Sequence, residues 1–336
     1  IDPSEMRLEG PFGDHTGYYS QDGDYPVFHL TAITHRKDPI YLTTIVGKPP
    51  QEDFYLGGAT ERIFLPLLRT QLPEIVDMDM PVEGVFHNCV IVSFDKRYPM
   101  QSRRLMSALW GLGQMSFVKT IITVDSNIDV HNYENLVKLL LDKVNFKLDL
   151  FFSEGVLDVL NHGSDNMLYG SKLGVDLTEK IEGEPGYGES KPTTSNSSHL
   201  PTKEEVKNQF SDLKDCRILD INAGRSVAYV ALNKTQPHQA KEFIKTFFNA
   251  SEFSAINILI VLEGHVKLNN DSIVMWKFFN NLDPKRDFYF EGDRLAIDVT
   301  QKLKEEGYQQ NWPEEIEMSE EIKTRIDEKW NSLFNK

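Results

Sequence analysis

The stretch "CVIVSF" (89–94) is short and almost entirely apolar, which is the pattern of a β-strand buried on both faces. Apolar residues recur at helical spacing in "PMQSRRLMSALWGLG" (99–113), and "KTIITVD" (119–125) has the pattern of a second buried strand. A second helix, "NYENLVKLLLDKV" (132–144), and a third strand, "LDLFF" (148–152), follow. Alternating strands and helices predict parallel βαβ units with right-handed crossovers.

The same order of elements returns later in the chain. A shift of 138 positions aligns Cys89–Phe152 with Val227–Phe290 without a gap, and Lys96 then falls on Lys234. Few residues are identical, but the apolar periodicity is shared over the whole span. We interpret the pattern as a tandem duplication of one small α/β domain.

The repeat sets the predicted domain boundaries. "LGVDLTEK" (173–180) matches "LAIDVTQK" (295–302) if a loop of sixteen residues is dropped from the second copy. We predict two tandem three-layer α/β domains with mainly parallel sheets, 81–181 and 203–312. Residues 182–202 between them are dominated by Gly, Pro, Ser and Thr and are predicted to be a flexible linker.

The two ends of the chain have other patterns. Residues 1–80 are predicted to be the end of a β-rich domain plus a connecting helix. Residues 25–47 have the pattern of a β-hairpin, and the segment from Pro49 to Ile75 that of a helix kinked or split at Pro66.

Residues 313–336 are predicted to form a separate C-terminal helix. Ser319 is its expected cap, and Ile322, Ile326, Trp330 and Leu333 would form an apolar stripe along one side.

Composition excludes several classes of function. The formal net charge of −15 over 336 residues argues against nucleic acid or an anionic membrane as a partner. The sequence contains no apolar run of membrane-spanning length and no signal segment. Cys89 and Cys216 form no CxxC pair, so we expect buried thiols in a reducing cytoplasm. The opening at Ile1 suggests a piece of a longer protein.

The motif "LEGPFGDHTGYY" (8–19) holds the candidate chemistry. It places Glu9 and Asp14 on either side of a turn at Gly10–Gly13. If the two carboxylates converge, their repulsion favours one proton held near neutral pH, as a general acid requires. The alternative is that both are solvated or turn-forming acids, and on spacing alone this alternative is the more common. The nine histidines are scattered and predict no metal site.

This motif, together with "ITHRKDPIY" (33–41) and "GKPPQED" (47–53), resembles the UbiD family of decarboxylases. The namesake of that family is 3-octaprenyl-4-hydroxybenzoate carboxy-lyase. The resemblance continues through "TIITVDSNIDV" (120–130) and "GSKLGVDLTEK" (170–180), and the second α/β repeat departs from the usual single copy. It implies that residues 1–80 end a split β-barrel, flavin-reductase-like domain.

The resemblance also implies an activity, which is reversible, non-oxidative decarboxylation of aromatic or unsaturated acids. A 4-hydroxybenzoate-type acid of quinone biosynthesis would be one such substrate. The family uses prenylated FMN made by a flavin prenyltransferase, with Mn²⁺ and K⁺. By resemblance, Asp14 is the proton donor, Glu9 holds the acid network and His15 lies beside the cofactor.

The family's catalytic arginine and metal ligands lie upstream of this sequence. We therefore expect the chain by itself to be inactive and to bind no cofactor. We also expect a homodimer or higher oligomer. The alternative function is a non-catalytic oligomerisation module.

Overall fold

The computed structural model describes residues 1–189, 200–220 and 225–334. These residues form two compact units, of which one combines Ile1–Asp53 with the C-terminal segment from Pro313 and the other is Phe54–Trp312. The middle of the predicted linker, residues 190–199, lies outside the described residues. In the described residues, no helix combines the length and the apolar character that crossing a bilayer demands.

In chain order, the helices and strands are β1 (Asp2–Glu9), β2 (Gly23–Val27), α1 (Asp53–Gln71), β3 (Ile75–Asp79), β4 (Cys89–Phe94), α2 (Gln101–Leu109), β5 (Thr120–Asp125), α3 (Tyr133–Lys143), β6 (Leu150–Val156), β7 (Tyr169–Asp176), α4 (Lys203–Gln209), β8 (Leu213–Asp220), β9 (Ser226–Leu232), α5 (Gln239–Asn249), β10 (Ile256–Glu263), α6 (Asp271–Asn281), α7 (Pro284–Asp287), β11 (Phe288–Glu291), β12 (Arg294–Asp298) and α8 (Glu320–Phe334).

The larger unit contains two five-stranded sheets with the same topology. The first has the strand order β3-β4-β5-β7-β6 and the second the order β8-β9-β10-β12-β11. In each sheet the three central strands are parallel, and each edge strand is antiparallel to its neighbour. The α/β fold class is therefore confirmed, but the prediction of mainly parallel sheets is wrong at both edges. The edge strands β3 and β8 contain acidic residues and partly exposed positions, so they lack the continuous apolar run that marks a central strand.

The predicted offset of 138 is visible in the elements themselves. Tyr133–Lys143 and Asp271–Asn281 are helices of equal length that keep this offset at both ends, and α2 and α5 begin at the same offset. Asn132 and Asn270 cap the first two, each accepting a hydrogen bond from the backbone N–H three residues later. Helix caps and apolar periodicity depend only on residues that are close in the sequence. The two copies share both features, so their helices begin and end at equivalent positions.

Three apolar clusters form the core of this unit. One packs the first sheet against α1 and α2, and another packs the second sheet against α4 and α5. The third takes residues from both sheets and from α3 and α6, including Ile91, Leu136, Ile260 and Phe279. Cys89 belongs to this shared cluster and is fully buried, as expected, and burial raises the pKa of its thiol.

The N-terminal part departs from prediction. The hairpin predicted for residues 25–47 is absent, because β2 pairs with β1 and residues 28–46 contain no strand. The β-forming side chains of this segment are exposed instead. Tyr41 is 88% exposed and Leu42 is 89% exposed. A hairpin without a covered apolar face is marginal, so β propensity alone did not decide this segment.

The helix predicted from Pro49 to Ile75 spans a shorter range. It begins at Asp53, ends at Gln71 and runs through Pro66 as one helix. Ile75, where the predicted helix ends, is instead the first residue of β3. At the other end of the chain, Ser319 Oγ accepts from Ile322 N at 3.3 Å, as the predicted cap requires.

Candidate acid site on the N-terminal hairpin

The predicted catalytic motif folds as a tight hairpin between β1 and β2. Ser20 N donates to the Phe12 carbonyl at 2.8 Å, and Phe12 N donates to the Ser20 hydroxyl at 3.1 Å. Inside this pair, Asp14 N donates to the Tyr18 carbonyl at 3.2 Å. Gly17 has a φ of 85°, a left-handed conformation that glycine adopts without strain. The turn lies at Asp14–Gly17 and not at the predicted Gly10–Gly13, because Phe12 and Asp14 still form hydrogen bonds with the returning chain.

Asp14 is buried in this hairpin. Its side chain forms a local turn in which Oδ1 accepts from Thr16 N at 2.7 Å and also from the Thr16 hydroxyl. Only 7% of the residue is exposed, and Thr16 and Tyr18 beside it are 1% exposed. Short side chains of this kind stabilise turns by bonding to the backbone two residues on. Asp14 is thus a turn-forming acid that is also shielded from water.

Glu9 has different surroundings. It is the last residue of β1, opposite Gly23 of β2, and it is exposed. His15, next to Asp14, is half-buried. The motif therefore presents one buried acid, one exposed acid and an imidazole. Their joint action as a catalytic network stays a prediction.

The C-terminal segment supplies a third strand-like edge to the hairpin, which sequence reasoning missed. Tyr19 N donates to the Glu314 carbonyl at 2.9 Å, and Ile316 N donates to the Gly17 carbonyl at 2.9 Å. A Cβ placed on Gly13 would lie 2.9 Å from Ile316 Cδ1. Acidic and apolar residues alternate in "EEIEM" (314–318), which is the only local signal of an extended segment. This pattern does not predict which part of the chain the segment pairs with.

Lys48 holds the same segment by charge. Its ammonium lies 2.5 Å from a carboxylate oxygen of Glu315 and 2.6 Å from one of Glu317. Lys48 belongs to the motif "GKPPQED", so two of the motifs that carried the resemblance meet the C-terminal segment in the structure.

The donor set of the hairpin defines what it can bind. Residues 9–20 offer carboxylates, one imidazole and hydroxyls, and they contain no Lys or Arg. Such a set suits proton transfer and hydrogen bonding, whereas a phosphate calls for cationic donors. If a flavin binds here, the hairpin fits its reacting end and not its phosphate.

Comparison with known proteins identifies the family. The sequence profile of the 3-octaprenyl-4-hydroxybenzoate carboxy-lyase C-terminal domain matches residues 54–177 and 197–307. The profile of the Rift-related domain of the same enzyme matches residues 1–49. Together the matched ranges include the acid hairpin and both sheets.

Individual relatives agree with these matches. An uncharacterized protein of Helicobacter pylori strain J99 is 34% identical over an alignment of 344 positions, which covers 98% of this chain and 52% of that protein. An uncharacterized protein of Archaeoglobus fulgidus is 50% identical over 184 residues, 54% of this chain and 38% of that protein. The chain thus spans about half or less of these relatives.

Among solved structures, the closed form of vanillic acid decarboxylase from Sedimentibacter hydroxybenzoicus superposes with a TM-score of 0.52 at 24% identity. The superposition covers 62% of this chain and 43% of that one, and it is a likeness of fold. Because the two family profiles cover most of its residues, the chain belongs to the UbiD family, named for 3-octaprenyl-4-hydroxybenzoate carboxy-lyase.

Proposed function

We propose that the protein containing this chain is a prenylated-FMN-dependent decarboxylase that removes CO₂ reversibly and without net oxidation from aromatic or unsaturated carboxylic acids. The observation that carries the proposal is the buried carboxyl of Asp14 in a hairpin that lies within the range matched by the Rift-related domain of the family. When bound, the prenylated flavin supplies an electron sink for the carbon that loses CO₂.

The chain's own residues supply the proton. In this proposal Asp14 donates its carboxyl proton to the carbon that has lost CO₂, and the resulting carboxylate accepts a proton in the reverse direction. Thr16 fixes the orientation of Asp14 through its N–H and its hydroxyl. Glu9 would orient the acid network, and His15 would contact the ring of the cofactor. Mn²⁺ and K⁺ would be held by residues of the upstream part of the protein.

The substrate and the supply of cofactor follow from the same proposal. A 4-hydroxybenzoate-type acid of quinone biosynthesis is the substrate class that we propose, and a flavin prenyltransferase is the proposed source of the cofactor. We also propose that the protein acts in the cytoplasm and that the chain by itself has no decarboxylase activity.

We propose the domain division 1–80, 81–181, 182–202, 203–312 and 313–336, with the first segment ending a split β-barrel. The identical topology of the two sheets supports a duplicated α/β domain. The β1–β2 pair is the β-structure that supports the first segment. The shared apolar cluster means that the two copies pack as one unit.

A second candidate function is a non-catalytic oligomerisation module. The exposed apolar stripe of α8 favours it, since Trp330 is 59% exposed and Leu333 58%. The two candidates differ in what Asp14 does, because an assembly module requires no proton donor.

The test uses the full-length protein expressed together with a flavin prenyltransferase. Aromatic acids are offered as substrates, and CO₂ release and deuterium exchange at the reacting carbon are measured. Asp14→Asn preserves the shape of the side chain, so we expect cofactor binding to persist while both rates fall about 10²–10⁴-fold. Asp24→Asn, at an exposed acid of β2, is the matched control. Equal rates in the two variants would mean that Asp14 is not the proton donor, and the absence of CO₂ release from every acid offered would favour the oligomerisation module.

A further inference from the structure

Three elements of the larger unit bring metal-binding side chains together. Glu61 lies on α1, Asp79 ends β3 and His131 lies between β5 and α3. One potential ligand atom from each lies within 4.8 Å of the other two. No sequence pattern predicts this cluster, because its members come from three separate segments of the chain.

The two carboxylates are buried and the imidazole is accessible. The exposed fraction of the side chain is 7% for Glu61, 9% for Asp79 and 46% for His131. Glu61 is one of only two buried residues on α1 in the described chain, whereas apolar side chains of the same helix such as Ile63 and Leu67 are exposed. The helix therefore inserts a carboxylate into the unit, which is costly unless the charge is compensated.

Hydrogen bonds orient these groups. Met80 N donates to Glu61 Oε2 at 2.9 Å, and the Tyr133 hydroxyl donates to Asp79 Oδ2 at 2.8 Å. His131 Nδ1 lies 3.0 Å from Asp79 Oδ1. Ligands of a metal ion are commonly held by outer partners of this kind.

The charge of the cluster is not balanced. Asp77 stands beside it, 3.7 Å from His131 Nε2, and the guanidinium of Arg62 pairs with Asp77 at 2.6 Å and with Glu61 at 3.3 Å. With the imidazole of His131 neutral, three carboxylates against one guanidinium leave two negative charges. Carboxylates that are shielded from water are stable as anions only when cations lie nearby, and one guanidinium pairs with two of these three.

The second repeat offers an internal comparison. Asp79 pairs with Ile91 in the first sheet, and Arg217 pairs with Tyr229 in the second, so the two positions are equivalent at the offset of 138. The guanidinium of Arg217 places a positive charge at this position and forms an ion pair with Asp271. Asp271 is itself equivalent to Tyr133 at the same offset. The second repeat thus carries a built-in positive charge where the first repeat has acids and a histidine.

We propose that Glu61, Asp79 and His131 bind one divalent transition-metal ion, which occupies in the first repeat the place that the Arg217 guanidinium has in the second. Two carboxylates and one imidazole are a donor set that Zn²⁺ accepts, with water completing the coordination. The ion joins α1 to the first sheet and to the loop before α3. This site is independent of the acid hairpin and of the proposed decarboxylation.

The experiment titrates Zn²⁺ into the 336-residue chain after treatment with EDTA and dialysis. Calorimetry is expected to detect one site per chain, and Zn²⁺ is expected to raise the melting temperature in a concentration-dependent way. His131→Gln and Asp79→Asn should each weaken this binding at least about 10-fold. His238→Gln, at an exposed histidine, and Asp271→Asn, in the second repeat, should leave it unchanged. Co²⁺ provides a second readout, since its visible absorption should be lost with His131.

Two results would overturn the proposal. Zinc binding with the same affinity in all four variants would place the ion elsewhere on this acidic chain. If the cluster is only a hydrogen-bonding network, zinc will not shift the melting temperature, and Asp79→Asn will lower it in EDTA. The proposal expects the reverse in EDTA, where removal of one of two repelling carboxylates maintains or raises the melting temperature.

Discussion

The ammonium of Lys96 lies 2.6 Å from the carboxylate of Glu184, and only 4% and 1% of these side chains are exposed. The same pair recurs in the second repeat, where Lys234 lies 2.6 Å from Glu306. The two lysines keep the offset of 138, whereas the two glutamates are closer in the sequence by the length of the loop that the alignment omits. Each lysine ties the turn after a central strand to the segment that follows the last parallel strand of its sheet.

Lys96→Met should destabilise the larger unit strongly. Removing one partner of a buried pair leaves the other charge uncompensated, which typically costs about 3–5 kcal/mol. Urea unfolding measures the change. Lys241→Met, at an exposed lysine on α5, should stay within about 0.5 kcal/mol of the wild type. Equal effects of the two substitutions would show that the Lys96 pair contributes little.

The same pairs predict a pH dependence. Burial by itself would raise the pKa of Glu184, but Lys96 and the backbone N–H groups of Ile181 and Met100 hold it below the ordinary value of 4.5. A lowered folded pKa contributes stability that is fully present above the pKa of the unfolded state and is lost as the pH falls through the folded pKa. The difference in unfolding free energy between the wild type and Glu184→Gln should therefore be constant from about pH 7 to about pH 5.5 and shrink below about pH 4. Urea unfolding at several pH values measures it, and a difference that grows on acidification contradicts the assignment.

Gly13→Ala should destabilise the acid hairpin through its contact with the C-terminal segment. The added Cβ would meet Ile316 Cδ1 at 2.9 Å, and overpacking of this kind costs about 1–3 kcal/mol. Ile316→Ala should remove most of that cost, with a coupling of about 0.5–3 kcal/mol in a double-mutant cycle. Gly58→Ala serves as the control, because its Cβ meets no atom within 4 Å and alanine favours a helix. Additive effects of the Gly13 and Ile316 substitutions would mean that the two residues do not interact in solution.

Trp330→Asp should weaken self-association of the chain. Ile326, Trp330 and Leu333 on α8 are 47%, 59% and 58% exposed, and burying each in a partner would contribute roughly 1.5–3 kcal/mol before ordering costs. Sedimentation equilibrium at micromolar concentration should give a homodimer or higher oligomer for the wild type and a lower mass for the variant. Lys329→Asp is the control for the added charge. A monomer mass for the wild type and both variants would contradict the proposed oligomer. It would mean that the two repeats pair only with each other, within one chain.

Sequence patterns sufficed where the structure depends on near neighbours. The central strands β4, β5, β9 and β10 were predicted from apolar runs, and the helices α3 and α6 from apolar periodicity. These signals act within about four residues, so the gapless repeat carried them from one copy to the other. A turn in the acid motif was predicted at Gly10–Gly13, but it lies at Asp14–Gly17.

Tertiary structure alone decided the features that depend on a distant partner. Tyr41 and Leu42 have the residue types of a strand, but a strand requires a neighbour to pair with, and the described chain provides none at residues 28–46. The edge strands run antiparallel because of how the chain returns to each sheet, which composition does not encode.

The surroundings of the acid motif and the Glu61–Asp79–His131 cluster also depend on contacts between residues that are far apart in the sequence. Ile316 meets Gly13 from the opposite end of the chain, and His131 meets Asp79 although β4, α2 and β5 lie between them in the sequence. Local sequence determined which side chains were present at these places. Only the burial of shared apolar surface, which brings remote segments together, determined which of them meet.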